Sequence, residues 1–171
     1  LIHVRFFYPE FEGMMSQEAC RQTDNSHWKM VALTADDGPR HNNSIRALNA
    51  FRKGGARVTF FEVGKVMEET KDIVQRQFDA NHLIGCHGYN HWSGYSMGIP
   101  ARHREINSFN ELLTNMVGEP ARLFRAPGGT YPPWMEAEIS LPLIQWSVDT
   151  YDYRGLKPQR ILYNVRKNVQ D

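Results

Sequence analysis

Short apolar runs alternate with stretches of helical spacing along most of this chain. Met30-Val31-Ala32-Leu33 reads as a buried strand, and Gly38-Pro39 is a turn signal that stops it. Asn43-Ser44 offers caps for a helix in which Ile45, Leu48 and Phe51 recur at helical spacing, closed by Gly54-Gly55. Val58-Thr59-Phe60-Phe61, β-branched and aromatic, predicts a second strand stopping at Gly64. One helix is expected from about Lys65 to Ala80, with Met67, Ile73, Val74 and Phe78 as its apolar positions. Leu83 to Cys86 is the third strand, and a loop through Gly98 and Pro100 leads to a helix bearing Ile106, Phe109, Leu112, Leu113 and Met116 that ends near Gly118. Arg122 to Arg125 predict a fourth strand, broken at Ala126-Pro127-Gly128-Gly129, with a helical turn after Pro132-Pro133. Leu143 to Val148 predict the fifth, and Pro158 opens a helix with Ile161, Leu162 and Val165. Residues 1–28 show little period. Arg5 to Tyr8 reads as a short strand before Pro9, and this segment as a leader or the remnant of a preceding one, so that the organised domain is 29–171.

Strands alternating with helices call for an α/β fold with a parallel sheet and right-handed crossovers. Every polar cluster falls where a strand ends, which is the pattern of a barrel mouth. A closed parallel barrel needs more strands than five, so one or more strands are expected outside these residues. The chain holds no internal repeat and no low-complexity tract.

Composition narrows the partners more than the fold. At 171 residues there is enough chain for one domain with a full core. A formal net charge of +1 without a block of like charge argues against nucleic acid or a charged membrane surface as partner. No stretch approaches the roughly 20 apolar residues of a membrane span, and Leu1 to Arg5 lack a secretory pattern. Opening on Leu1 rather than Met reads as a processed or excised piece, with which export is compatible. Cys20 and Cys86 allow one bridge or two buried thiols; spacing does not decide, and free thiols are the reading adopted.

Chemistry concentrates at the strand ends. Asp36 and Asp37 close the first strand. One of two adjacent carboxylates can hold a cation while the other handles protons, and a shared cation relieves their repulsion; the alternative is a polar surface turn. His87 and His91, four apart, bring two imidazoles to one side, and with an Asp they make a three-ligand set with open positions, as in catalytic zinc sites. Alone, such a pair is more often surface decoration. Arg125 ends the fourth strand and can orient a carboxylate through a bidentate pair, or else pack on Pro127. Gly128-Gly129 lets backbone approach a substrate, with N–H groups to polarise a carbonyl. Asp149 and Asp152 add acids to the rim, unless they are caps or solvated loop residues. Tyr89, Trp92 and Tyr153 bring aromatic surface to the same ends, whereas Trp146, inside a strand, reads as core.

In this order the motifs resemble the polysaccharide deacetylases of carbohydrate esterase family 4, built on a NodB-homology domain. Thr34 to Pro39 is similar to the family's T-F-D-D-G-P, His87 to His91 to its H-x-x-x-H, Arg125 to Gly129 to its R-x-P-Y-G, and Asp152-Tyr153 to its D-W. Val58 to Gly64 and Leu83 to His87 resemble two further strands, so the likeness covers 29–171. It implies a distorted (β/α)7 barrel, apparently lacking its last strand in this chain. It also implies metal-dependent removal of acetyl groups from a polysaccharide, N-acetylglucosamine units of peptidoglycan or chitin above all, at the cell surface or outside the cell. By resemblance Asp37, His87 and His91 hold Zn2+, or another divalent ion such as Co2+ or Ni2+. Asp36 is then the general base, Arg125 orients it, Gly128 helps hold the oxyanion, and Asp152 supports the general acid, while Tyr89, Trp92 and Tyr153 meet the sugar.

Departures from the family pattern bear on the pockets. Ala35 stands for its Phe, Gly128 for its Tyr and Tyr153 for its Trp. The family's last motif, whose His is the general acid, would follow Asp171, supplied by a missing segment or a second chain; Leu1-Ile2-His3 has its letters at the opposite end and serves only in a permuted barrel. Two rivals accompany this reading: a glycan-binding pseudo-deacetylase without turnover, and a two-His-one-carboxylate iron oxygenase, whose H-x-D spacing is absent. Gly88 occupies the place of the Glu that an H-E-x-x-H protease needs.

Overall fold

The structure, a computed structural model, describes residues 2–6 and 31–169. Their elements are β1 (Ile2–Phe6), β2 (Val31–Gly38), α1 (His41–Lys53), β3 (Val58–Glu62), α2 (Gly64–Glu68), α3 (Lys71–Asp79), β4 (Leu83–Cys86), α4 (Ile99–Val117), α5 (Met135–Glu138), β5 (Val148–Asp149) and α6 (Pro158–Asn168). They divide into two compact units, Thr34–Gln145 and Ile2–Leu33 with Trp146–Asp171.

In the first unit the strand order is β4-β3-β2. β3 and β4 are parallel, with Phe60 opposite Ile84 and Glu62 opposite Cys86. The parallel ladder runs on through single bridges, Cys86 to Phe124 and Phe124 to Leu143. Their bonds have ordinary lengths: Cys86 N–H to Leu123 O is 2.9 Å, Arg125 N–H to Cys86 O 2.9 Å and Phe124 N–H to Pro142 O 3.0 Å. The fourth strand, expected over 122–125, is therefore one bridge at Phe124. The expected fifth strand also divides: Leu143 bridges Phe124, whereas Val148 and Asp149 form β5 in the second unit.

Helices cover the sheet as the apolar spacing requires. The cluster that joins Met67, Val74, Ile84, Phe109, Leu113 and Phe124 leaves each of them 5% exposed or less, and such burial contributes about 1.5–3 kcal/mol per large side chain. The single helix expected over 65–80 is two. Thr70 donates its hydroxyl to Val66 O at 2.8 Å and its N–H to Met67 O at 3.1 Å, ending α2, and then stands at the N-cap of α3. Ser44 is not a cap either: α1 starts at His41, and Ser44 Oγ accepts the Arg40 N–H from inside the first turn. α4 ends as expected at Gly118, whose left-handed φ of 85° suits a residue without Cβ.

In the second unit β1 lies antiparallel to β5, with His3 opposite Asp149 and Val4 opposite Val148. An all-parallel set of strands was the expectation, so this pair is a departure from it, and β1 falls in the stretch read as a leader. α6 starts on Pro158 and leaves Leu162 and Tyr163 half exposed. No helix among the described residues is long and apolar enough to cross a membrane. Cys86 is a buried free thiol whose pKa burial pushes up, and Cys20 lies outside the described residues.

Candidate active site

β2 sorts its polar side chains by alternation. Thr34 and Asp36 point to one face and are 4% and 8% exposed, a burial that polar groups accept only with partners. Arg125, fully buried, supplies them. Its Nη1 donates to Asp36 Oδ1 at 2.6 Å and to Thr34 Oγ1 at 2.8 Å. Its Nε donates to Ile144 O at 3.1 Å, its Nη2 to Gln145 O at 3.2 Å, and its guanidinium lies 4.1 Å from the Phe61 ring centroid. A planar fork fixed from four sides holds Asp36 in one orientation.

Asp37 leaves the strand direction, with φ at 67°, and its carboxylate meets the two histidines. Oδ1 lies 3.2 Å from His87 Nε2 and 2.8 Å from His91 Nε2, and the three ligand atoms are within 4.8 Å of one another. The set fits a cation. His87 Nδ1 is 2.8 Å from Arg125 O, a pure acceptor, so Nδ1 carries the hydrogen and Nε2 presents a lone pair toward Asp37. Two acceptors thus face each other, and Asp37 Oδ1, buried, has no hydrogen bond of ordinary geometry. The Asp37 carboxylate raises the pKa of His91. His87 is 1% exposed, whereas the side chains of Asp37 and His91 are 37% and 42% exposed, so the set is open to solvent on one side. That is the form of a catalytic rather than a structural site.

The remaining expected residues fall unevenly. Gly128 and Gly129 both have positive φ, 69° and 67°, in a turn after Pro127. Gly129 N–H is engaged with Ala126 O at 2.8 Å. Tyr89 turns its hydroxyl to Glu68 at 2.7 Å, a bond that raises its pKa, and its ring packs so tightly on Gly64 that a Cβ there would lie 2.6 Å from it. Trp92 is about half exposed and borders a small pocket with Met97, Arg102 and Pro127. Asp152 and Tyr153 belong to the second unit, where Asp152 accepts from Thr150 Oγ1 at 2.9 Å and Arg154 lies over the exposed Tyr151 and Tyr153. Trp146, read as core, is partly exposed.

Three polar residues at the site were not singled out by the apolar pattern. Thr34 shares Arg125 with Asp36. Glu62, 1% exposed, packs its carboxyl against Gly38, accepts from Gln77 Nε2 at 2.5 Å through Oε1, and has its pKa raised to about 8, chiefly by burial. Glu105, on the buried face of α4, accepts from Asn90 between the two histidines. The usable signal was a charged residue in register with an apolar helical stripe, as Glu105 is with Ile106, Phe109 and Leu113.

The family model described as polysaccharide deacetylase matches residues 23–140. A peptidoglycan-N-acetylglucosamine deacetylase of Bacillus cereus is 31% identical over 142 residues, which are 81% of this chain and 51% of that protein. The chain therefore spans about half the length of that relative. Among solved structures, a peptidoglycan N-acetylglucosamine deacetylase in complex with a naphthalenyl N-oxidanyl-benzamide is 28% identical, with a TM-score of 0.76 over 80% of this chain and 65% of the other. A family 4 carbohydrate esterase pseudoenzyme from Bacillus anthracis, 21% identical, has a TM-score of 0.75 over 80% and 50% of the two chains, a likeness of fold alone. The shared fold is the (β/α)7 barrel, and the parallel strands of the first unit form an arc of it.

Proposed function

The chain belongs to the polysaccharide deacetylase family, and we propose that it hydrolyses N-acetyl groups on a polysaccharide, foremost the N-acetylglucosamine units of peptidoglycan, with chitin as the second substrate. One observation carries the reading: a three-ligand set of Asp37, His87 and His91 stands beside Asp36, a buried carboxylate held by its own arginine. A divalent ion held by the three, zinc first, supplies Lewis acidity and makes water a nucleophile near neutral pH.

The chain's own residues divide the remaining work. Asp36, next in sequence to a ligand, accepts a proton from the attacking water. Arg125 and Thr34 keep its carboxylate aimed, so that the general base does not reorganise during the reaction. Gly128, in a conformation that suits glycine, lets backbone come close to the acyl oxygen as negative charge develops there. Departure of the amine needs a proton, which a histidine supported by Asp152 delivers; His3 is one source and a segment of a longer protein, or a second chain, the other. The site of action is the cell wall, outside the cell, a reading supported by the likeness to peptidoglycan deacetylases.

Acetate release from N-acetylated peptidoglycan fragments and chitooligosaccharides tests the reading. The zinc-loaded protein is expected to release acetate, and Asp36→Asn to slow the release roughly 10²–10⁴-fold. A protein that binds zinc and glycan yet frees no acetate from any of them is a glycan-binding pseudo-deacetylase instead, and acetate release that His3→Ala abolishes assigns the acid to His3.

A further inference from the structure

His87 and His91 are held by different means. His87 is buried to 1% and fixed by Arg125 O, whereas His91 is exposed on a loop, its ring meeting Asp37 and, 5.0 Å away between centroids, the His87 ring. Its placement must come from the loop that carries it. That loop is unusual, with φ of 80° at Gly88 and 62° at His91. A residue with a Cβ in the left-handed region costs of order 1 kcal/mol and persists only where its surroundings impose it.

Two elements impose it. The N-terminal turn of α2 takes the loop's carbonyls: Gly64 N–H donates to Gly88 O at 3.1 Å and Lys65 N–H to Tyr89 O at 2.8 Å. α4 takes the opposite side with one side chain. Glu105, 6% exposed, accepts the Asn90 backbone N–H through Oε2 at 2.7 Å and the Asn90 side-chain amide through Oε1 at 2.6 Å. A Cβ on Gly88 would stand 3.3 Å from Glu105 Oε2, so the carboxylate is packed beneath the loop as well as bonded to it. A carboxylate buried this far is costly without hydrogen bonds, and the two it makes are both to Asn90, the residue directly before His91.

We infer that Glu105 is a positioning residue for His91: through Asn90 it fixes the loop between the two histidines in the conformation that turns the His91 imidazole toward Asp37. The inference rests on the metal-site part of the proposed function. Outer partners of a metal ligand are worth roughly 10–100-fold in metal affinity, and Glu105 acts one residue removed, through the backbone rather than through the ring. Exchanging it for glutamine puts an amide donor against one of the two Asn90 donors and breaks the clamp without changing volume.

The test is zinc affinity, measured by chelator competition on wild type, Glu105→Gln and Asn90→Ala, beside the melting temperature of each protein without metal and the visible spectrum with Co2+. Wild type is expected to bind one zinc. Glu105→Gln should bind it roughly 10–100-fold more weakly, with an altered Co2+ spectrum and a metal-free melting temperature near that of wild type. Asn90→Ala, which keeps the backbone bond to Glu105, should lose less and covers the case in which Glu105→Gln fails to fold. Zinc affinity within twofold of wild type in the variants, or a loss matched by a general loss of metal-free stability, overturns the inference. Failure of wild type itself to bind zinc overturns the metal site and this inference with it.

Discussion

Arg125 Nη1 lies 2.6 Å from Asp36 Oδ1, with the two side chains 0% and 3% exposed. Removing the cation leaves a buried carboxylate without its partner, which costs about 3–5 kcal/mol. Arg125→Met is expected to lose stability on that scale in urea unfolding. Arg125→Lys keeps the charge but cannot reach Asp36, Thr34, Ile144 O and Gln145 O from one ammonium, so it should recover only part of the loss. A loss below about 1 kcal/mol in Arg125→Met would contradict the role of this pair.

Asp36 and the ligand set share no side chain, which makes their functions separable. Asp36→Asn should retain one zinc per chain while turnover falls roughly 10²–10⁴-fold, the contribution of a general base. Loss of the metal along with activity would instead make Asp36 a ligand, and both quantities are read on the same dialysed sample.

His87→Ala and His91→Ala are each expected to lose zinc on dialysis, and pH should act through His91. Asp37, whose Oδ1 lies 2.8 Å from His91 Nε2, raises the His91 pKa, so the proton competes with metal at that nitrogen. Zinc affinity should therefore fall as pH drops through the raised value, with proton release on binding below it. Calorimetry in buffers of different ionisation enthalpy measures the released proton; an affinity flat from pH 5.5 to 8.5 would refute the assignment.

Glu62 gives a second pH dependence of opposite practical sense, in the protein without metal. Burial is the main cause of its rise to about 8, with Asp36 adding to it and Gln77 opposing. The fold binds the proton more tightly than the unfolded chain, so this stability is fully present below the unfolded pKa, near 4.5, and is lost as pH rises through about 8. Glu62→Gln, neutral throughout, is expected to match wild type in urea midpoint near pH 4.5 and to exceed it increasingly as pH rises to about 8. Equal slopes for the two proteins across that interval would show that Glu62 does not titrate there.

The site was legible where chemistry and chain punctuation coincide. Asp36-Asp37 before Gly38-Pro39, two histidines after a strand and an arginine before Ala126-Pro127 can be read because each stops an apolar run. Glu105 and Glu62 were not legible, because a pattern that counts apolar positions treats a charge on a buried face as a break in the stripe, while the fold satisfies it with Asn90 or Gln77 brought from elsewhere in the chain. The extent of the strands failed for a related reason. Apolar composition at 122–125 and 143–148 says that these segments are inside, but not how far each pairs with a neighbour, and at Phe124 and Leu143 the pairing is by single bridges. Tyr89 was expected among sugar contacts from its position, which says nothing of the bond its hydroxyl makes to Glu68 on α2.

Arg125 touches the site with both of its ends: its guanidinium holds Asp36, and its carbonyl oxygen fixes the Nδ1 hydrogen of His87. Only the first of these can be altered by exchanging the side chain, since every residue type brings the same carbonyl. A descendant of this sequence that lost the arginine, or Asp36, would forfeit proton transfer while the histidine still offered its lone pair to a metal. On the proposed roles, proton transfer and metal holding are thus lost by separate single substitutions, the first at Arg125 or Asp36 and the second at Asp37, His87 or His91.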